Sequence, residues 1–287
     1  MANKVYEKQF VKMIEDIFTS KQRFFRTFGG GLQTAYGAEY NDKFMELKTS
    51  PTDVVIQKYI TDPNVAFEDG TGNSNRFGKR HEIKSIDETV GYDEPIAIHE
   101  GLDRFTINDK LDQVVAERAT LHAQEWIEYL NGYMSRLLSS NAGKEFTTAL
   151  TTDALTELFN TAYKYFINTK ISNSLTWIAY VNADLYTLII DHPLVTTGKN
   201  SAVNVDNQSI VMFKGFRLEV LPDEYFQEGE VVIFVPDNIG VIGLGLETYR
   251  VVESLDFNGV AIQGAAKTAN YIPEKNKKAI VKAKVGA

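Results

Sequence analysis

From Leu111 onward, ring-bearing and apolar side chains return every third or fourth position: Val115, Ala119, His122, Trp126, Tyr129, Tyr133 and Leu137 fall on one stripe. That spacing predicts a single helix from about residue 109 to about 140, which at 1.5 Å per residue would run to roughly 48 Å. Gly143 stands where such a helix would stop, and Gly132 inside it costs about 1 kcal/mol against Ala. Leu111, Val115, Trp126 and Leu137 are its expected core positions.

The same period recurs in DALTELFNTAYKYFINT, where Leu155, Leu158, Phe159, Ala162, Tyr165 and Phe166 share a side. It recurs again near the start in KQFVKMIEDIF, through Phe10, Met13, Ile14, Ile17 and Phe18. RFFRTFGGG ends that second pattern. Phe24, Phe25 and Phe28, followed by Gly29 to Gly31, read as a sticky segment before a hinge. Elsewhere the period gives way to unbroken apolar runs. LTWIAYV reads as a buried strand, Asn182 as the N-cap of a helix through ADLYTLIIDH, and Pro193 as its stop. Beyond the polar TTGKNSAVNVDNQS, short strands alternate with turns in MFKGFRLEVL, VVIFVPDN, GVIGLGLETYRVV and LDFNGVAIQGAA, and KKAIVKAKV follows Pro273.

Two further runs, DVVIQKYIT (53–61) and EIKSIDETV (82–90), have strand composition and flank VAFEDGTGNSNRFGKRH (65–81). A loop this long inside a compact domain usually has a job. The economical reading is a two-stranded arm with a Gly/Asn-rich tip. Neither strand has a clean hydrophobic face, and a lone hairpin is marginal in water, so such a ribbon completes its burial against another molecule. Arg76, Lys79 and Arg80 place positive charge at its tip.

Composition narrows the chemistry. The 287 residues are 44% hydrophobic and 24% charged, enough for one large or two smaller cores, with no internal repeat and no low-complexity linker. One integrated α+β body with protruding segments fits this. The absence of cysteine excludes disulfides, thiolate metal sites and cysteine nucleophiles. No run of about 18 apolar residues exists and MANKVYEKQF is not a secretory signal, so the chain is expected to stay in a cytoplasm, off the membrane. The net charge of −8 is uneven: +3 over residues 1–28 and +5 over residues 267–287 leave −16 for the middle. Tight nucleic-acid binding needs a basic field, which this chain lacks.

Catalytic signatures are missing. His81, His99, His122 and His192 are scattered without zinc-site spacing. Gly240, Gly243 and Gly245 lack the last glycine of a dinucleotide fingerprint, for Thr248 stands there. No phosphate-binding or nucleophile-elbow motif occurs, and the glycines of the arm tip lead into no helix that would receive an anion. Catalytic, metal and cofactor residues are therefore assigned to none. The enzyme alternative rests on a hidden acid–base pair such as Glu100 and Asp103.

The order of these pieces carries a resemblance. TWIAYVNADLYTLIIDHP, FKGFRLEVLPDEYFQEGEVVIFVPDNIGV and IPEKNKKAIVKAKV, set after an arm and one very long helix, resemble the major capsid proteins of tailed double-stranded-DNA bacteriophages, the Hong Kong 97-type fold, over essentially the whole chain. The resemblance implies an N-terminal arm (1–50), an extended loop (51–95), a peripheral domain built on a spine helix (96–145 and 247–287) and an axial domain (146–246). It implies contacts between subunits through Arg76, Phe77, Lys79 and Arg80 at the loop tip and through Phe24, Phe25 and Phe28 of the arm. The partners it implies are further copies in pentamers and hexamers, a separate scaffolding protein, a portal, a cement protein in some shells, and enclosed double-stranded DNA bound without sequence specificity. The place it implies is the virion, with assembly in the host cytoplasm. Some members crosslink a loop lysine to an asparagine of another subunit, for which Lys79 or Lys84 and Asn258 or Asn270 are placed. The lysines of residues 267–287 are expected at subunit contacts. A nanocompartment shell of the encapsulin type, enclosing an enzyme instead of a genome, is the alternative within the same fold.

Overall fold

The computed structural model describes residues 23–24, 26–29, 32–36, 43–50, 54–61, 76–78, 80–106, 110–196, 203–204 and 209–286. In chain order its elements are β1 (Leu32–Tyr36), β2 (Lys43–Thr49), β3 (Ile86–Gly91), β4 (Ile96–Asp103), the long helix α1 (Leu111–Ser140), β5 (Lys144–Thr148), α2 (Thr152–Asn168), β6 (Trp177–Val181), α3 (Ala183–Ile190), the single turn α4 (Pro193–Thr196), β7 (Val203–Asn204), β8 (Ser209–Ile210), β9 (Met212–Phe213), β10 (Phe216–Val220), β11 (Glu230–Pro236), β12 (Val241–Glu253), β13 (Gly259–Tyr271), the turn α5 (Glu274–Lys277) and β14 (Val281–Val285). The predicted N-terminal helix around Phe10 to Phe18 lies outside the described residues.

Two sheets organise the body. One is six-stranded, in the order β5-β14-β11-β6-β10-β9, and the other four-stranded, in the order β1-β12-β13-β4. In the first, β6 and β11 are central and buried on both faces, which is why WIAYV and EVVIFVP are continuous apolar runs. Helices α2 and α3 cover one face, where Leu155, Phe159 and Phe166 meet Phe216 and Phe234. The other face meets α1, through Leu130, Met134 and Leu138 against Tyr180, Ile233 and Val235. The same core continues into the four-stranded sheet at Ile242, Leu244 and Ile262, so α1 joins both sheets.

Local chemistry sets the joints, the Asn182 cap among them as the sequence predicts. Thr151 Oγ1 accepts the Ala154 N–H at the start of α2, and Asn182 Oδ1 accepts the Leu185 N–H at 2.9 Å at the start of α3. Lys214 and Gly215 both have positive φ (46° and 87°), the geometry of a two-residue hairpin between β9 and β10. Gly143 has a different reason from the one its sequence position suggests. A Cβ there would lie 2.7 Å from the backbone of Lys277 and Lys278, so this glycine permits a close crossing of two chain segments.

Helix α1 matches its predicted bounds, but its buried face is rotated from the predicted stripe. Trp126 is in the core as expected, Val115 and Leu137 are half-buried against it, Leu111 is half-buried outside it, and Tyr129 faces out. The observed face is Ala119, Ala123, Trp126, Ile127, Leu130, Met134 and Leu138, together with His122, Asn131, Ser135 and Ser139. The buried pairs 122/123, 126/127, 130/131, 134/135 and 138/139 advance by four residues per step, so the buried face moves around α1 faster than the predicted stripe, whose steps average about 3.7 residues. The polar residues turn inward because they are satisfied there: Ser135 Oγ donates to the Tyr225 carbonyl and Ser139 Oγ to the Glu230 carboxylate.

The sheets also divide the chain differently from the expected domains. Strand β12 already belongs to the four-stranded sheet at Val241, and β5 and β14 return residues 144–148 and 281–285 to the six-stranded one.

Candidate assembly surfaces

The arm is a separate two-stranded ribbon of β2 and β3. Its first strand is KFMELKT, whereas residues 54–61, predicted as that strand, form none. A β-forming composition needs a partner, and β3 is taken by the segment that also reaches the body. Phe44 of β2 lies edge-on to Tyr92 (5.6 Å between centroids) and so close to β12 that a Cβ on Gly243 would fall 2.1 Å from its ring.

Beyond that base the arm carries apolar side chains that the described residues leave bare: Val54 is 94% exposed, Ile56 96%, Phe77 78% and Ile83 81%. Its two sides are tied near the tip, where Ile60 N–H donates to Arg76 O at 2.9 Å and the Tyr59 and Phe77 rings meet edge to face. Of the loop-tip residues read from the sequence, Phe77 and Arg80 are exposed, Arg76 is half-buried and Lys79 lies outside the described residues.

The aromatic triplet near the N-terminus corrects its expected role. Phe24 and Phe28 are buried in the chain's own core, Phe24 with its ring 4.5 Å from that of Tyr180, and Phe25 lies outside the described residues. Backbone N–H groups of Asn238 and Ile239 donate to Arg26 O and Thr27 O, lacing this segment into the body. Side chains with no exposed surface offer nothing to a neighbour.

A second bare surface stands at one end of the four-stranded sheet. The turn after β4 and the turn joining β12 to β13 are locked together by Arg104, which reaches Glu253 (3.0 Å) and Asn258 (3.3 Å), with Phe257 packed beneath Gly101 and Gly259. This rigid knob presents Phe105 and Leu255 to solvent. Reading the sequence for patterns misses it, since two isolated apolar residues in turns form none.

Several charges are answered within the chain. Arg118 on α1 grips Glu100 on β4 with Nε 2.7 Å from Oε2, and His122 Nε2 lies 2.8 Å from the same oxygen. The hydrogen bond from Arg118 holds the Glu100 carboxyl down at about 2. Asp103 Oδ1 instead accepts the Phe105 N–H in its turn, so Glu100 and Asp103 make no acid–base pair. Lys282 pairs with Glu230 at 3.0 Å, Lys284 with Glu145 at 3.5 Å and Lys277 with Glu274, so these lysines serve their own chain before any neighbour. Both asparagines read as crosslink acceptors are engaged as well, Asn258 with Arg104 and Asn270 with the Tyr133 hydroxyl. A groove of 530 Å³ beside β5 and α2 has Glu157 as the one titratable side chain among its described lining residues. Among the described residues no group of three His, Asp or Glu is placed to hold a metal ion, and no helix is long and apolar enough to cross a membrane.

No family model and no curated protein matches the chain. Solved structures do. The asymmetric unit of the mature capsid of bacteriophage PhiM1 aligns with a TM-score of 0.65 at 10% identity, over 92% of this chain and 87% of that one. Mycobacterium phage Che8 aligns at 0.60 and 13% identity, over 92% and 90%. The chain has the fold of phage capsid subunits. The same capsid fold reaches a virus-like particle from Pyrococcus furiosus, at a TM-score of 0.50 and 13% identity over 97% and 99%. Helix α1 is the helix expected as the spine, and of the two ribbon strands β3 alone falls within the residues expected for the extended loop.

Proposed function

We propose that this chain is the major capsid protein of a tailed double-stranded-DNA bacteriophage, which self-assembles through pentamers and hexamers into an icosahedral shell around the genome. The observation that carries this reading is the arm. Val54, Ile56, Phe77 and Ile83 stay in water on a ribbon that leaves the body, and burying each would contribute about 1.5–3 kcal/mol. A second copy that covers them repays the exposure, and the knob at Phe105 and Leu255 offers another contact of the same kind. The shell is the virion's, assembled in the host cytoplasm with a scaffolding protein, a portal and, in some particles, a cement protein. The role is structural, without catalysis.

The likeness to phage capsids, at TM-scores of 0.65 for PhiM1 and 0.60 for Che8, supports the phage shell over a cargo-enclosing compartment. The enclosed DNA is held without sequence readout, consistent with the acidic middle of the chain. Negative-stain imaging of the purified protein tests the assembly: closed shells are expected, and a population of monomers and small oligomers alone would refute it. Nuclease-protected DNA in particles from infected cells separates a genome shell from a protein compartment.

A further inference from the structure

The arm leaves the body through the four residues Tyr92 to Pro95, between β3 and β4, and one of them is held from two sides. Asp93 N–H donates to Thr268 O of β13 at 2.7 Å, and the Thr268 hydroxyl donates back to Asp93 Oδ2 at 3.0 Å. The Tyr133 hydroxyl of the spine helix donates to that same Oδ2 and accepts from the Asn270 amide. Asp93 itself is exposed, but its partners Thr268, which is buried, and Tyr133, which is half-buried, place the carboxylate at a junction of arm, sheet and helix. Burial, then the Asp93 hydrogen bond, push the Tyr133 phenol up from its usual range, and it remains a donor throughout the physiological window.

The other ties at the base act on the strands themselves. Phe44 seats β2 on Gly243, and Tyr271 Oη donates to Glu88 Oε2 of β3 at 3.3 Å. Of these ties among the described residues, the Asp93 junction is the one that reaches α1. Pro95, next to it, fixes its own φ and stiffens the exit.

We infer that Asp93 is the pivot that presets the arm's take-off direction in the single subunit and couples it to the spine helix through Tyr133. A shift of α1 at Tyr133 then reorients the arm, and a fixed arm spares assembly part of the ordering cost of a loose one. The pivot stands on one chain's geometry; its consequence for assembly rests on the capsid reading.

The chain has no cysteine, so spin labels can be placed cleanly at Lys84→Cys on the arm and Gln124→Cys on the exposed side of α1. Pulsed dipolar spectroscopy on the full-length subunit at low concentration should give one narrow distance peak. Tyr133→Phe, which removes only the hydroxyl, should lose that peak to a broad distribution, and Thr268→Val should do the same should Asp93→Ala fold poorly. Tyr129→Phe is the control, one turn away and outside the junction; it should keep the narrow peak. Near-ultraviolet circular dichroism confirms that each variant is folded. A broad distribution in the parent, or a narrow peak surviving in folded Tyr133→Phe, overturns the pivot. Either result leaves the shell reading standing, whereas a narrow peak in a protein that never forms particles would fail the shell reading alone.

Discussion

Arg118 and Glu100 form a forked pair that ties the spine helix to β4, with Arg118 Nε 2.7 Å from Glu100 Oε2 and a second guanidinium nitrogen on the other oxygen. The contact joins elements that the chain separates by a turn, so it helps fix the angle between helix and sheet.

Replacing Glu100 with Gln should therefore cost about 1.5–3 kcal/mol at neutral pH, the range for hydrogen bonds to charged groups. The pH dependence follows from the depressed carboxyl. Its ordinary value is 4.5 and in the fold it lies at about 2. Its contribution is thus complete above about 4.5 and is lost as pH falls through about 2. Thermal unfolding across this window should show the parent losing its advantage over Glu100→Gln as the pH drops. A constant difference from pH 7 to pH 2 would contradict the assignment.

Trp126 lies in the core shared by both sheets, and Trp126→Ala should cost about 3–5 kcal/mol in urea denaturation. Leu111→Ala, at the half-buried first turn of α1, should cost a small fraction of that. Equal costs would restore the predicted stripe and remove the rotated face.

Glu230 has no exposed side-chain surface and is answered by Lys282, Ser139 Oγ and the Gln227 N–H. Removing its cation in Lys282→Met leaves a buried carboxylate with hydroxyl and amide partners only, at an expected cost of about 3–5 kcal/mol. The double change with Glu230→Gln should recover much of it. A neutral single variant would place Lys282 at the surface, free for contacts with another subunit.

Charging the arm separates folding from association. Val54→Asp with Ile56→Asp should leave far-ultraviolet circular dichroism and unfolding unchanged, since both side chains already lie in water. Shell formation, followed by sedimentation, should be lost. Shells of normal yield would show that this stretch stays uncovered.

Much of the fold was legible because period and caps report packing directly. The spine helix, α2 and the strand–Asn182–α3 unit read correctly, each having a wide apolar stripe or a run buried on both faces. What stayed hidden depended on partners far along the chain. KFMELKT looks like an exposed charged segment until Phe44 finds Gly243, and Phe24 and Phe28 look like a free sticky patch until Tyr180 is seen beside Phe24. The inward Asn131, Ser135 and Ser139 escaped a search for apolar periodicity because burial of a satisfied polar group leaves no hydrophobic signal. The arm itself was legible as a protrusion by composition, while its strand register was not, because a ribbon without a buried face specifies register weakly.

The central claim is that another copy of the chain covers the arm. Amide hydrogen exchange over residues 54–61, compared between free subunits and assembled particles, tests it most directly. Apart from the Ile60 N–H, which donates to Arg76 O, these backbone groups belong to no strand of their own subunit, so the expected result outside Ile60 is fast exchange in the free chain and strong protection in the particle. Equal exchange in both states, or protection already present in the free subunit, would contradict it.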